Sequence, residues 1–200
     1  MNFLAHAYLS GKSNKILAGN LISDFVKGKQ ALQAFENEIA QGIELHRLID
    51  EFTDTHPVVA ESKKRLRPKY RHYSGVIVDV FYDHFLAKYW GQYHADSLAD
   101  FADHIYKTME TFYPVVPTGF KNMFPYMIRG NWLVNYARLE GIERALTGMS
   151  QRTPYESKMD EAVYDLRKDY ELFKTEFEKF FPDLIEHSKN WLAENGYARA

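Results

Sequence analysis

Apolar side chains recur at intervals of three and four residues through most of this 200-residue chain. One stretch shows the spacing clearly, with Phe35, Ile39, Ile43 and Ile49, where His46 occupies the position between the last two. That interval matches the turn of an α-helix and places these side chains on one face. Because only 11 glycines and 7 prolines are available for turns, an all-β fold is disfavoured. The length suits one continuous core, so residues 1–200 are predicted to form an all-α, single-domain helical bundle.

Helix start and stop signals give the expected boundaries. Ser13 can cap the first helix, Gly28 can end it, and Pro57, Pro68 and Pro182 interrupt the pattern. The predicted helices cover residues 13–27, 31–54, 57–66, 70–90, 97–112, 119–136, 140–149 and 156–181, with a last helix after Pro182. No internal repeat or linker divides the chain.

Charge and cysteine content exclude several classes of function. The formal net charge of −2 gives no overall field that would attract nucleic acid or an anionic membrane. Without cysteine there is no disulfide framework, thiolate zinc site or cysteine nucleophile. The short apolar N-terminal stretch lacks the basic residues of a secretory signal, and no segment approaches the length of a membrane span. We expect a cytoplasmic protein of undetermined oligomeric state, without nucleic-acid or membrane partners.

Two pairs of polar residues interrupt the apolar helix faces. His46 and Asp50 are four residues apart, as are Asp79 and Asp83. On a helix this spacing brings the two side chains of a pair to one face, with Cβ atoms about 5–6 Å apart. Buried carboxylates need compensation by basic side chains or by divalent metals. Few basic residues lie on these faces, which favours metal over ordinary buried ion pairs.

His84 directly follows Asp83, so the two side chains point about 100° apart around a helix. Either residue can bind metal while the other serves as a second ligand or as an acid or base. Imidazole and carboxylate ligands without thiolate suit manganese, iron(II), magnesium or zinc, and the excess of carboxylates favours manganese or magnesium.

Arginines next to these pairs have two possible roles. Arg47 follows His46, and Arg71 lies about two helical turns before Asp79. Each can contact a phosphoryl oxygen or neutralise the carboxylates.

Residues 63–71 include six basic residues and no acidic one. A solvated helix face is the usual reason for such a run. Its position ahead of the Asp79 helix also fits a docking surface for an acidic partner or a phosphate. The candidate contacts are Lys63, Lys64, Arg65, Arg67 and Arg71.

A second stripe of large side chains lies in the C-terminal half, with Tyr126, Met127, Trp132, Leu133 and Tyr136. Such a stripe is typical of core packing, and the wall of a substrate site needs the same residue types. Both interpretations stay open.

Short motifs follow one another over most of the chain: Asn2-Phe3-Leu4-Ala5-His6, Gly19-Asn20, Asp24-Phe25-Val26, Gly42-Ile43, His46-Arg47, Ile49-Asp50, Thr53-Asp54, His56-Pro57, Asp79 and Asp83-His84-Phe85-Leu86. Trp132-Leu133, Tyr136 and Gly141-Ile142 continue the pattern. With these motifs the chain resembles the acyl-carrier-protein phosphodiesterases.

The resemblance implies an α-helical, manganese-dependent enzyme, distantly related to the HD phosphohydrolases, with acyl carrier protein as its substrate. The family removes 4′-phosphopantetheine from the holo carrier and leaves the apo form. The resemblance carries over a set of metal ligands: His6, Asp24, His46, Asp50, Asp79, Asp83 and His84. Asp24, His6 and His84 are the catalytic candidates, with His6 or His84 protonating the leaving serine oxygen. Asp54 is a candidate for contact with one of these ligands. The order Asp83-His84 departs from the His-Asp pair that is usual in the HD phosphohydrolases.

Two other functions fit the same residues. An HD-like phosphohydrolase would cleave a nucleotide or another small phosphoester and leave the carrier protein intact. A non-enzymatic helical binding module would hold its carboxylates in buried ion pairs, and its stability would not change in chelator.

Overall fold

The structure is a computed structural model that describes residues 1–28 and 30–197; residues 29 and 198–200 of the predicted domain lie outside the described residues. Its α-helices are α1 (Phe3–Tyr8), α2 (Asn14–Ile22), α3 (Asn37–Thr55), α4 (Pro57–Tyr70), α5 (Ser74–Lys88), α6 (Leu98–Phe112), α7 (Thr118–Arg129), α8 (Trp132–Asn135), α9 (Leu139–Arg152), α10 (Ala162–Lys168) and α11 (Tyr170–Glu194). Short 3₁₀ helices occupy Ser23–Phe25, Gln30–Ala34, Arg71–Tyr73, Trp90–Gln92 and Met159–Glu161. No strand occurs in the described residues, and the all-α prediction is confirmed.

The core forms around α5 and α11. The fully buried aromatic side chains of these two helices are Phe81, Tyr82, Phe85, Phe173, Phe177, Phe180 and Phe181. Rings from the two helices meet directly, as in the edge contact of Tyr82 with Phe177 at 5.6 Å between centroids. Burying one such side chain stabilises the fold by about 1.5–3 kcal/mol. This packing fixes α5, and with it the backbone that carries Asp79 and Asp83.

Serine caps begin two of the helices, and the one at Ser13 was predicted. The Ser13 hydroxyl oxygen accepts a hydrogen bond from the Ile16 amide at 3.3 Å at the start of α2. The Ser97 hydroxyl accepts one from the Asp100 amide at 3.1 Å at the start of α6. A short polar side chain at this position satisfies an amide that has no partner within the helix.

Two prolines predicted to end helices lie inside them instead. α4 continues through Pro68 and α11 continues through Pro182. An interior proline costs about 3 kcal/mol or more. Around Pro182 the burial of Phe181 and Leu184 offsets that cost. After Pro68 the last turn is held by Tyr70, whose hydroxyl donates to Asp165.

Three other boundaries differ from the prediction. The second helix begins at Asn37, because residues 30–34 form a 3₁₀ helix. The predicted helix 119–136 breaks between α7 and α8, where Asn131 has a left-handed backbone with φ of 40°. Helix α1 was not predicted, because the acceptor for its first amides is Asp83, which is distant in sequence.

Helices α2 and α3 cross at two glycines. A Cβ atom on Gly19 would lie 2.0 Å from the Ile39 carbonyl oxygen, and one on Gly42 would lie 2.2 Å from the Ile16 carbonyl oxygen. Only residues without a side chain allow the two backbones to approach this closely. The crossing brings Asn20 on α2 next to His46 on α3.

Gly42→Ala is therefore expected to lower the free energy of unfolding by at least about 3 kcal/mol, the upper end of ordinary overpacking costs. The matched control is Gly148→Ala in α9, where no atom lies within 4 Å of the added Cβ. The control should be unchanged or slightly more stable, because alanine favours helix. Urea unfolding measures both, and equal stability of the two variants would contradict the close crossing.

Candidate metal centre

Two histidines and one carboxylate converge between α1 and α3. His6 Nε2 lies 3.2 Å from Asp50 Oδ1, and His46 Nε2 lies 3.1 Å from Asp50 Oδ2. The imidazole rings stack with centroids 3.9 Å apart and planes 13° apart. One ligand atom from each residue falls within 4.8 Å of the others. These three residues form the candidate metal centre.

Asn20 holds both imidazole rings. His6 Nδ1 lies 2.8 Å from Asn20 Oδ1, and His46 Nδ1 lies 2.8 Å from the Asn20 carbonyl oxygen. The Asn20 amide nitrogen donates to the His6 carbonyl and to the Ser10 hydroxyl, which fixes the orientation of the amide. Since both partners of Nδ1 are acceptors, each ring donates its Nδ1 hydrogen. In a neutral ring Nε2 is then left without a hydrogen, and each Nε2 lies close to a carboxylate oxygen of Asp50.

This arrangement fits a metal ion. His6 Nε2 is buried and has no hydrogen-bond partner within the described residues, because its approach to Asp50 is close but poorly directed. A buried nitrogen without a partner is costly. Histidine ligands in metalloproteins commonly donate the other ring N–H to an oxygen, as both rings do here. Two imidazoles and a carboxylate form an accepted donor set for divalent transition metals.

Asp24 lies at the open side of the centre. It belongs to the 3₁₀ helix after α2, and its Oδ1 lies 3.3 Å from His46 Nε2. Its side chain is 66% exposed. The hydrogen bond with His46 lowers the pKa of Asp24, so the carboxylate stays ionised and can face a substrate from the solvent side.

The pKa values of the two histidines at the centre shift in opposite directions. Hydrogen bonds to Asp24 and Asp50 outweigh burial and raise the pKa of His46 to about 9. Burial, reinforced by the charge of His46, lowers the pKa of His6 to about 4. Although burial acts against it, the two histidines lower the pKa of Asp50. In the absence of metal, one imidazolium thus stacks on one neutral imidazole.

Asp79 borders the centre on the α5 side. The Met1 α-amino group lies 3.1 Å from Asp79 Oδ1 and 3.4 Å from Asp50 Oδ1. Burial lowers the pKa of that amine, but the two carboxylates more than offset it and raise it to about 10. Burial raises the pKa of Asp79. The predicted ligand Asp79 is thus linked to the centre through the Met1 amine.

Asp83 is fully buried and caps α1. Its Oδ2 accepts from the Leu4 amide at 2.7 Å, and its Oδ1 accepts from the Ala5 amide at 3.2 Å. Burial raises the pKa of Asp83 to about 7 against the effect of these two hydrogen bonds. Asp83 thereby fixes the start of the helix that carries His6.

His84 faces away from the centre. Its Nδ1 lies 2.8 Å from the Tyr136 carbonyl oxygen, and its Nε2 lies 2.9 Å from the Tyr170 hydroxyl. Burial lowers its pKa. The 100° step around α5 therefore directs Asp83 and His84 to different neighbours, and the structure does not bring His84 together with the other predicted ligands.

The remaining predicted residues form no hydrogen bond or ion pair with His6, His46 or Asp50 within the described residues. Arg47 Nη2 lies 3.5 Å from the carbonyl oxygens of Val26 and Gly28. Asp54 pairs with Lys63 at 2.6 Å. Arg71 is exposed and has a left-handed backbone with φ of 51°. Neither arginine pairs with the centre's carboxylates in the described part of the chain.

Some basic residues of the run form ion pairs with other helices, and others do not. Arg65 forms a two-pronged contact with Glu176, at 2.9 and 2.7 Å, and packs over the Phe173 ring. Lys69 pairs with Glu161 and Asp165, each at 3.0 Å. These cations join α4 to neighbouring helices.

Lys64 and Arg67 are the exposed basic residues of α4 that pair with no other helix in the described residues. Lys64 reaches only Glu61, at 4.0 Å. Arg67 has no side-chain partner among the residues described, which leaves its guanidinium available to solvent.

Asn20 and the Met1 amine are the site groups that residue-level reasoning missed. Asn20 belongs to the Gly19-Asn20 motif. A side-chain amide next to a glycine that the helix crossing requires is the sequence feature that could have identified it. No side-chain pattern marks the amine.

A family model described as "Acyl carrier protein phosphodiesterase" matches residues 1–184. Curated proteins of the same name are similar over nearly their whole length. One from Enterobacter sp. (strain 638) is 34% identical over 191 residues, covering 95% of this chain and 98% of the relative. One from Escherichia coli O45:K1 (strain S88 / ExPEC) is 34% identical over 189 residues, covering 94% and 97%.

The chain belongs to the acyl carrier protein phosphodiesterase family. The predicted family is confirmed. No solved structure matches the chain, and the relation of this acyl carrier protein phosphodiesterase family member to HD phosphohydrolases stays a prediction. Among the described helices, none combines the length and apolar character needed to cross a membrane.

Asp83→Ala is expected to destabilise the metal-free protein by about 1–3 kcal/mol, because two buried amides lose their acceptor. Asp83→Asn, which keeps one carbonyl acceptor, should fall in between. The control Asp103→Ala removes a carboxylate whose partner, Lys107, is exposed. Chemical unfolding in chelator compares the three, and parent-like stability of Asp83→Ala would rule out the capping role.

Proposed function

We propose that this protein is a metal-dependent phosphodiesterase that releases 4′-phosphopantetheine from holo acyl carrier protein and leaves the apo carrier. Membership in the family supports hydrolysis of a phosphodiester bond. One structural observation supports metal dependence: two histidines, both held by Asn20, bring Nε2 close to Asp50.

His6, His46 and Asp50 would hold the ion. A divalent metal there would act as a Lewis acid on a phosphoryl oxygen and neutralise charge that develops during hydrolysis. Asn20 keeps both Nδ1 atoms protonated, so each Nε2 lone pair would be available to bind the ion. Asp83 positions His6 by capping α1.

Asp24 is the proposed general base. Its carboxylate is ionised because His46 lowers its pKa. One carboxylate oxygen contacts His46, and its exposed side chain can receive a proton from an attacking water at the other oxygen. His84 does not contact the centre, and its two nitrogens are engaged by Tyr136 and Tyr170. We therefore assign His84 a role in packing α5 against its neighbours.

Manganese is the proposed metal. Two imidazoles with carboxylate suit Mn²⁺ or Fe²⁺ better than Mg²⁺, which prefers oxygen ligands and retains its water. Metal analysis of protein purified without added ions distinguishes manganese from iron.

Removing metal or Asp50 should abolish hydrolysis. Chelated, dialysed enzyme should be inactive on holo acyl carrier protein, and Mn²⁺ should restore activity better than Ca²⁺. Asp50→Asn should lower kcat/KM more than about 100-fold, since losing even an outer partner of a ligand costs 10–100-fold. Mass spectrometry follows the loss of phosphopantetheine from the carrier.

Asp54→Asn is the matched control, because Asp54 lies one turn further along α3 and pairs with Lys63. It should retain activity. Full turnover after chelation, or equal activity of the two variants, would refute metal catalysis at this centre. Cleavage of free nucleotides with an intact holo carrier would favour the small-phosphoester alternative.

Lys64 and Arg67 are the proposed contacts for an acidic carrier surface. Lys64→Glu with Arg67→Glu should lower kcat/KM for the carrier and weaken its salt dependence, because exposed charges steer encounter. The kcat value should change little. Arg65→Ala should instead destabilise the fold, since Glu176 loses its partner. Carrier kinetics within about twofold of the parent at every salt concentration would exclude docking here.

A further inference from the structure

A slot lies between α8 and α9, away from the ligands of the candidate metal centre. Its volume is about 140 Å³, and its lining includes Trp132, Asn135, Tyr136, Arg144, Gly148 and Arg152. Trp132 and Tyr136 belong to the large-side-chain stripe found in the sequence. Tyr136 is buried, and its hydroxyl accepts a hydrogen bond from Asn2 at 3.3 Å on the side facing α1. The Tyr136 ring thus stands between the slot and the N-terminal segment.

Two arginines flank a gap on one face of α9. Arg144, Gly148 and Arg152 follow at intervals of four, so they share this face, and Arg144 and Arg152 are about 12 Å apart along the axis. A Cβ atom on Gly148 would meet nothing within 4 Å. Both arginines are exposed, and neither forms an ion pair or a side-chain hydrogen bond with any residue in ranges 1–28 and 30–197.

The unsatisfied side-chain groups of the slot are mainly donors. Arginine and the tryptophan indole can only donate hydrogen bonds. The Trp132 indole N–H has no acceptor among the residues described, and it lies beside Gly130, where an added Cβ would be 2.8 Å away. The Asn135 amide nitrogen already donates to the Gly130 carbonyl at 2.7 Å. The slot therefore complements a group rich in acceptors.

The space between the arginines suits an apolar body. Ala145 and Met149 line it together with the Trp132 ring. Its volume resembles that of an engineered apolar cavity of about 150 Å³ that holds one benzene molecule. Guanidinium groups match phosphate oxygens in a two-pronged geometry that lysine does not provide.

We propose that this slot binds a phosphorylated small molecule whose phosphate meets Arg144 or Arg152 and whose planar, apolar body packs against Trp132 over Gly148. It is a second ligand site, and its occupation does not require the hydrolysis proposed for the metal centre.

Phenylphosphonate is the probe, because its carbon–phosphorus bond resists hydrolysis and its ring matches the slot. Titration into the metal-loaded protein should change the fluorescence of Trp132, and the change should disappear in Trp132→Phe. Arg144→Gln or Arg152→Gln, whichever removes the arginine that meets the phosphate, should weaken binding about tenfold or more through the loss of a charged hydrogen bond, and parent-like binding by both variants would contradict the proposal. Inorganic phosphate lacks the ring and phenol lacks the phosphonate group, so each should bind much more weakly than the probe.

Gly148→Leu should abolish binding by filling the gap, with Gly148→Ala as the control that keeps both the fold and most of the space. Circular dichroism and urea unfolding check that each variant is folded. Three further results would overturn the proposal: no binding at millimolar phenylphosphonate, inorganic phosphate binding as tightly as the probe, or binding that survives Gly148→Leu but is lost in Asp50→Asn. The last result would place the probe at the metal centre.

Discussion

The crossing of α2 and α3 at Gly19 and Gly42 sets the geometry on which the candidate metal centre depends. Because the backbones nearly touch, the Asn20 carbonyl reaches the His46 ring at 2.8 Å. The Asn20 side chain meets His6 at the same distance. One residue therefore orients both imidazoles, and a wider crossing would separate the α2 acceptors from the α3 histidine.

The buried and half-buried carboxylates near the candidate metal centre each contact a different compensating group. Asp50 contacts Nε2 of both imidazoles, Asp79 faces the Met1 amine, and Asp83 accepts hydrogen bonds from two amides of α1. Each arrangement compensates a carboxylate that would be expensive to bury alone. Asp24 differs, since its side chain is largely exposed and only its contact with His46 ties it to the centre. That exposure makes it the carboxylate best placed to meet a substrate.

The spacing of residues along each helix predicted part of this site. It failed for side chains whose positions depend on contacts with residues distant in sequence. The four-residue interval correctly placed His46 beside Asp50, because both lie on the same face of α3. Asp79 and Asp83 have the same interval but meet the N-terminal segment, where Asp83 caps helix α1. The direction of His84 depends on Tyr136 and Tyr170, and no local pattern encodes those neighbours. The predicted helix ends at Pro68 and Pro182 were wrong for the same reason. Tertiary packing there outweighs the preference of proline for helix ends.

The proposed function depends on a metal ion bound between α1 and α3. Anomalous diffraction from crystals grown with Mn²⁺, recorded on both sides of the manganese absorption edge, is the sharpest test of that ion. We expect a strong anomalous peak within coordination distance of His6 Nε2, His46 Nε2 and an Asp50 carboxylate oxygen. A manganese peak bound instead by His84, or the absence of any peak at these three residues in fully loaded crystals, would contradict it.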